Sequence, residues 1–217
     1  MTLVLFDLDN TLIGGDSDYL WGEFLVAKKL VDVEDYRQKN EDFYRDYENG
    51  GLDMEVYLRF ALSALASIDA KILPQLHAEF MRDWIEPIWL DKAQALVEKH
   101  RDANDKLAVI TATHRFVVEP IIAKFGIETL ICSEPEVVDG LFTGDFLGVP
   151  CFAAGKLTKI NKWLENQQAD LKSAVFYSDS HNDLPLLREV GNPIAVDPDA
   201  KLKAEAENLG WEIISLR

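Results

Sequence analysis

Five short, mostly apolar runs constrain the fold of this chain more than any other feature: Leu3-Val4-Leu5-Phe6, Leu107-Ala108-Val109-Ile110, Thr129-Leu130-Ile131-Cys132, Ala174-Val175-Phe176-Tyr177 and Pro193-Ile194-Ala195-Val196. Each is continuous rather than alternating, as in a strand covered on both faces. Between them, stretches of helical period run over 116–125, 156–165, 184–190 and 201–209. Strands alternating with helices predict parallel βαβ units, and so an α/β fold with a doubly wound parallel sheet and a Rossmann-like core. Ligands of such sheets bind beyond the carboxyl ends of the strands.

One region breaks the rhythm. From Asp16 to Trp84 only helix-like segments occur, marked by Tyr19, Leu20, Phe24 and Leu25, then by Tyr36, Phe43, Tyr44 and Tyr47. A third carries Val56, Tyr57, Phe60, Ala61, Ala64 and Leu65. A fourth, with Asp69 as its expected N-cap, runs through Leu73, Leu76, Phe80 and Trp84. Gly50-Gly51 separates the second from the third, and Pro87 stands near the return. The reading is an all-helical domain, 16–85, inserted into an α/β core formed by 1–15 and 86–217. Twelve of the 22 aromatic residues fall between Tyr19 and Trp89, which predicts a small core of the insert's own and an aromatic-lined pocket. Asp139-Gly140, flanked by apolar residues, predicts a tight hairpin beside the sheet.

Charge narrows the partners. With 22 basic against 38 acidic residues, the net charge is −16, and such a surface repels nucleic acid and anionic lipid. No apolar run reaches the roughly 18 residues a bilayer span needs. The N-terminus reads as a strand rather than a signal peptide, so a cytoplasmic location is expected. Cys132 and Cys151 are too few for a disulfide framework or a zinc site, and buried, reduced thiols are expected.

The acids at the strand ends carry the chemistry. The first strand runs into Asp7-Leu8-Asp9-Asn10-Thr11, where Asp7 and Asp9, two apart, share a face if the chain stays extended. Far downstream, Tyr177-Ser178-Asp179-Ser180-His181-Asn182-Asp183 follows another apolar run. If those strands are neighbours, both acidic pairs meet at one sheet edge, a hard oxygen set suited to Mg2+. One such pair could simply cap a helix; two make that reading insufficient. Thr111 offers a hydroxyl at the end of its strand, or caps the next helix. Lys156 follows Gly155 near a helix start, where the helix dipole disfavours a cation. Carboxylates, hydroxyl, lysine and a magnesium site together assemble a phosphoryl-transfer centre.

Taken in order, Asp7-Leu8-Asp9-Asn10-Thr11, Thr111, Lys156 and Asp179 with Asp183 resemble the four motifs of the haloacid dehalogenase superfamily, and they span nearly the whole chain. The insert resembles the type 1 cap of its phosphoserine-phosphatase-like branch. Residues 177–187 and the ending Gly210-Trp211-Glu212-Ile213-Ile214 resemble a bacterial subgroup that includes histidinol-phosphate phosphatases. The resemblance implies a phosphomonoesterase in which Asp7 is the nucleophile that becomes an aspartyl-phosphate. Asp9 is the implied acid that protonates the departing alcohol and then activates water. Mg2+ is implied on side-chain oxygens of Asp7 and Asp179 and the backbone carbonyl of Asp9, with Asp183 orienting a ligand or a metal-bound water. Thr111, Lys156 and the N–H of Leu8 are the implied phosphate holders.

The insert should select the substrate, a small phosphorylated metabolite. By the same resemblance, Asp16 contacts a substrate ammonium; an N-cap role for Asp16 is equally expected. Asn182 is expected to hydrogen-bond around the substrate, and His114 and His181 are candidate pocket residues. Histidinol phosphate, with an amine and a stackable imidazole, leads. Phosphoserine, second, needs an insert arginine for its carboxylate, from among Arg37, Arg45, Arg59 and Arg82; a broad small-molecule phosphatase is a further alternative. A phospho-accepting receiver domain also gathers acids, Thr and Lys at a sheet edge, but its acceptor lies well inside the chain and no helical insert follows its first strand.

Overall fold

The computed structural model describes residues 2–217. Seven strands form one sheet: β1 (Leu3–Phe6), β2 (Lys106–His114), β3 (Thr129–Val138), β4 (Leu141–Leu147), β5 (Val175–Ser178), β6 (Asn192–Val196) and β7 (Glu212–Ile214). Their order is β4-β3-β2-β1-β5-β6-β7, with β1 central and only the β3–β4 pair antiparallel. The helices are α1 (Ser17–Ala27), α2 (Val33–Asn49), α3 (Met54–Ala66), α4 (Leu73–Phe80), α5 (Asp91–Asp102), α6 (Arg115–Lys124), α7 (Ala154–Leu164), α8 (Leu184–Leu187) and α9 (Ala200–Leu209).

The continuous apolar runs have the burial their sequence implies. In β1, Val4 and Phe6 join a core with Ala93 and Val97 of α5 and Val117, Val118, Ile121 and Ile122 of α6. Leu3 and Leu5 join a second core with Ile160 of α7, Leu186 and Leu187 of α8, and Leu202 and Ala206 of α9. Alternate residues therefore serve opposite faces of a sheet covered twice.

Helices α1 to α4 all lie between β1 and β2. Asp16, Asp32 and Asp53 cap α1, α2 and α3, each accepting backbone N–H bonds from the first turn. Asp69 does not cap α4; it closes a turn by accepting from the Lys71 N–H at 3.0 Å. The helix begins after Ile72, with Pro74 in its first turn. Trp84 falls in a π-helical turn, Met81–Ile85, that continues α4.

Nor does this helical segment bury a separate core. Trp21, Phe24, Leu58, Leu65 and Phe80 are continuous with the α5–α6 core. The join is aromatic: Trp21 meets Phe116 of α6 edge-on at 5.4 Å, and His77 Nε2 lies 3.0 Å from the Val117 carbonyl. The outgoing and returning connections pair, through an Ile13–Trp89 bridge and a 2.8 Å bond from the Gly14 N–H to the Ile88 carbonyl.

The Asp139-Gly140 hairpin joins β3 to β4, with φ of 51° and 79° at the two residues. Positive φ at both positions gives the turn the twist of the flanking strands. The hairpin props α3: Arg59 reaches Asp145 at 3.4 Å and lies 5.0 Å over Phe146. Both cysteines are free and buried, and no helix of the described residues is long and apolar enough to cross a membrane.

Two further local expectations need correction. β2 does not stop at Ile110 but runs to His114 past a register irregularity, so Thr111 lies within a strand and caps nothing. The expected 184–190 helix is the single turn α8, preceded by a 3-10 turn over His181–Asp183. α5 and β7 were not anticipated; α5 buries only Ala93 and Val97, and β7 has only three residues.

Candidate active site

Both acidic segments lie at the carboxyl edge of the sheet, because β1 pairs directly with β2 on one side and β5 on the other. After Phe6 the chain leaves the ladder. The Asp7 N–H still reaches the Tyr177 carbonyl at 2.9 Å. The Leu8 carbonyl then accepts from the N–H groups of Thr11, Leu12 and Ile13 at 2.8–3.2 Å. That tight loop, with Asn10 at φ 57°, sends Asp7 and Asp9 to different partners while both line one cavity.

Asp7, 4% exposed, faces Lys156. The lysine Nζ donates to Asp7 Oδ1 and Asp183 Oδ2, both at 2.8 Å, and is itself 3% exposed. Ser178 Oγ also donates to Asp183 Oδ2, at 2.7 Å. Burial pushes the Asp7 carboxyl up to about 7, against the pull of Lys156, while Asp183 adds repulsion. For Lys156, burial alone lowers the ammonium's proton affinity, but Asp183 and Asp7 more than compensate and hold it above its usual value. Lys156 is the third residue of α7. An added Cβ at the preceding Gly155 falls 2.0 Å from the Pro150 carbonyl oxygen, so the backbone approach that sets Lys156 requires glycine.

Asp9 is held differently. Its Oδ1 accepts the Ser17 N–H at 2.6 Å, and its Oδ2 accepts Thr113 Oγ1 at 2.8 Å and Thr111 Oγ1 at 3.4 Å. Burial raises its proton affinity, and the Ser17 and Thr113 bonds oppose that rise. Thr111 also accepts the Thr113 N–H, at 3.2 Å. Asp16 caps α1, as one expectation had it, and it also lines the same cavity. Burial and the nearby Asp9 raise its carboxyl well above the usual range.

Asp179 accepts Thr11 Oγ1 at 2.9 Å and donates its own N–H to that hydroxyl at 3.1 Å. It lines a neighbouring depression that shares Tyr44, Tyr47 and Asn182 with the main cavity. Burial raises its carboxyl well above normal, and the Asp7 charge raises it further. Two carboxylates that repel across a short space suit a hard cation between them. Among the described residues no three His, Cys, Asp or Glu side chains gather as a ready metal cluster. A magnesium set would draw on Asp7, Asp179 and a backbone oxygen, with water completing the shell.

The cavity lies between the sheet edge and the helical segment. One wall carries Asp7, Asp9, Thr111, Lys156 and Asp183, and the helical segment closes it with Tyr19, Phe43, Tyr44, Tyr47 and Tyr57. Asn182 lines it and donates toward the Tyr47 carbonyl at 3.4 Å. His181 does not; it pairs with Asp199 at 2.8 Å beside the neighbouring depression. His114 lies behind the wall, fully buried. Among the described residues no arginine lines the cavity. Arg37, Arg45, Arg59 and Arg82 pair instead with Glu23, Asp42, Glu55 and Asp83.

Three cavity-side residues escaped the sequence reading. Thr113 and Ser178 hold Asp9 and Asp183, but a hydroxyl in an apolar strand carries no sequence mark of its partner. Asp18 also lines the cavity at 7% exposed; in sequence it is one more acid in a helix's first turn, where the dipole favours one.

A lysine-bound aspartate pair at the centre of a mostly parallel sheet, beneath helices inserted after the first strand, defines a doubly wound α/β protein with an inserted helical segment. The chain belongs to the haloacid dehalogenase-like hydrolases, whose family model matches residues 4–188. It is 43% identical over 219 residues, covering 99% of both chains, to a histidinol-phosphatase of Neisseria meningitidis serogroup C. It is 32% identical to a phosphoserine phosphatase of Mycobacterium tuberculosis, over 98% of this chain and 70% of that one. Among solved structures, a protein of unknown function from Bordetella pertussis Tohama I superposes with a TM-score of 0.93 at 40% identity, with all of both chains covered.

Proposed function

We propose that the protein is a magnesium-dependent phosphatase that hydrolyses histidinol phosphate through an aspartyl-phosphate on Asp7, with helices α1–α4 (16–85) acting as a cap that selects the leaving group. The observation that carries the reading is the charge of the cavity. Lys156 is its one cationic lining residue among the described ones, and it is bound to Asp7 and Asp183. The opposite wall offers Asp16 and aromatic rings. A leaving group that enters should therefore be cationic and flat rather than carboxylated, which favours an amine with an imidazole over phosphoserine. The name of the Neisseria relative agrees with that choice.

The donor set fits magnesium: two buried, mutually repelling carboxylates and nearby backbone oxygen, with no soft ligand. Asp7 and Asp179 side chains and the Asp9 carbonyl would hold the ion, with Asp183 behind them. When bound, it supplies positive charge beside the phosphoryl oxygens and lets a carboxylate face a phosphate dianion.

Asp7 attacks phosphorus in line, its oxygen forming a bond as the ester oxygen leaves. Lys156, Thr111 and the Leu8 N–H hold the equatorial oxygens, where negative charge gathers. Asp9 gives its proton to the departing alcohol and then takes one from the water that cleaves the acyl phosphate. Its raised proton affinity suits the first step, and the Thr113 and Ser17 bonds keep its two oxygens aimed for both.

Phosphate release from histidinol phosphate, phosphoserine and an aryl phosphate, each with and without Mg2+, tests this. The expected order of kcat/KM puts histidinol phosphate first, with activity lost on chelation. A larger kcat/KM for phosphoserine overturns the substrate, and full activity without divalent metal overturns the mechanism.

A further inference from the structure

Tyr47 carries a hydroxyl from the helical segment to the phosphoryl end of the cavity. It lies in the last turn of α2 and lines two spaces at once: the main cavity, with Asp7 and Lys156, and the neighbouring depression, with Asp179. Its backbone is held from both sides, because the Tyr47 carbonyl accepts the Gly50 N–H at 3.0 Å and Asn182 Nδ2 at 3.4 Å. Its ring packs on Phe152, another cavity residue, with centroids 6.0 Å apart and a tilt of 45°.

The hydroxyl is not committed in the same way. Its hydrogen bond among the described residues is to Ser180 Oγ at 3.4 Å, well beyond the usual O–H···O range of about 2.5–3.0 Å. Ser180 Oγ is itself occupied, accepting the Asn182 N–H at 3.2 Å. The charges around the tyrosines of the helical segment also differ. Tyr57 has Asp18 and Asp16 as its nearest acids in effect, and Tyr44 has Asp16. Tyr47 instead faces Asp179, Asp7 and Asp183, the acids of the phosphoryl end. Burial, with Asp179 and Asp7 adding and Ser180 opposing, holds its hydroxyl well above the usual range. It therefore keeps its proton and remains a donor at any working pH.

We infer that Tyr47 is a catalytic residue supplied by the helical segment, its hydroxyl donating to a non-bridging oxygen of the phosphoryl group that Lys156, Thr111 and the Leu8 N–H hold. The assignment rests on the proposed aspartyl-phosphate chemistry at Asp7, and it is independent of which alcohol leaves. A phosphoryl oxygen is a charged acceptor, and it gives this loosely held O–H a far better partner than Ser180. A neutral donor also serves a cavity whose one lysine is already shared between two carboxylates. Because α2 carries the donor, the contacts around phosphorus are complete only while that helix rests on the sheet edge, which couples phosphate release to its departure.

Tyr47→Phe deletes the hydroxyl and keeps the ring on Phe152. Kinetics of the magnesium-loaded wild type and variant on histidinol phosphate and an aryl phosphate, with inorganic phosphate as inhibitor, test the assignment. The expected result is a fall of at least about tenfold in kcat/KM, by the same factor on both substrates, since the phosphoryl group is common to them. The inhibition constant of inorganic phosphate rises by at least about tenfold as well. An unchanged inhibition constant overturns the inference, and so does a loss confined to histidinol phosphate, which places the hydroxyl at the leaving group. Lys201→Ala cuts another tether of the same helix, to the Asn49 carbonyl, and leaves the hydroxyl in place. It should change the phosphate constant by less than about threefold, within the worth of one exposed bond; a rise equal to that of Tyr47→Phe makes Tyr47 a tether only and refutes the role. A wild type that releases phosphate from neither substrate, or normal turnover by Asp7→Asn, overturns the reading beneath the inference instead.

Discussion

Replacing Lys156 by methionine removes the one cation that two buried carboxylates share. Its Nζ lies 2.8 Å from each, and its side chain is 4% exposed. Each contact is worth about 6 kcal/mol of Coulomb energy at an effective dielectric near 20, before desolvation is subtracted. Removing one partner of such a buried arrangement costs about 3–5 kcal/mol net. For a chain of this size that is a fall in Tm of about 6–20 °C. The loss must also depend on pH. In the folded wild type Asp7 titrates at about 7 rather than near 3.8, because burial outweighs the lysine. Its folded pKa is therefore above its unfolded value, so the folded state keeps a proton between those limits that the unfolded chain has released. The stability it contributes is present at low pH and lost as pH rises. Without the lysine, which lowers it, the folded pKa moves higher still and the penalty at alkaline pH grows. Thermal melts of both proteins in chelator at pH 5.5 and pH 8 measure the difference. The methionine variant should lose at least about 1.4 kcal/mol more at pH 8, one extra proton over one pH unit. An equal loss at both pH values, or a larger one at pH 5.5, refutes the reasoning.

Asp7→Asn should lower turnover by at least about three orders of magnitude with an unchanged circular-dichroism spectrum; residual hydrolysis near the wild-type rate removes Asp7 from the nucleophile's place. Thr113→Val deletes a 2.8 Å bond that stabilises the charged form of Asp9. The limb of the kcat/KM profile that reports Asp9 should then move up by about 1–2 pH units, and an unmoved or lowered limb contradicts the acid assignment.

Much of this architecture is legible in the chain because its strands are buried on both faces. Leu3-Val4-Leu5-Phe6 has no choice of face to encode, so a bare apolar run marks it. Acids directly after such runs then identify the sheet edge, which is how Asp7, Asp9, Asp179 and Asp183 were found together. What failed were features set by tertiary contact. β2 runs on through Thr111 to His114 because Ser133 of β3 continues to pair with it. The aromatic richness of the insert suggested an isolated core, yet Trp21 and Phe80 are spent against α6. Asp69 has the identity of a cap, but Pro74 sets the start of α4 later. None of the four insert arginines could be placed from sequence; in the structure each pairs with an acidic neighbour and none lines the cavity.

The shared aromatic core has a consequence for how anything reaches the buried acids. Prising α1 and α4 from α6 would wet Trp21, Phe80 and Phe116, each a large apolar surface. By contrast, α2 buries only Tyr36 and Asn40. Its far end is moored to the sheet by polar threads: Tyr47 to Ser180 at 3.4 Å, Asn182 to the Tyr47 carbonyl at 3.4 Å, and Lys201 to the Asn49 carbonyl at 3.1 Å. Water replaces bonds of that kind at about 0.5–1.5 kcal/mol apiece. The helical segment is therefore held least firmly on its α2 side and most firmly where α1 and α4 meet α6.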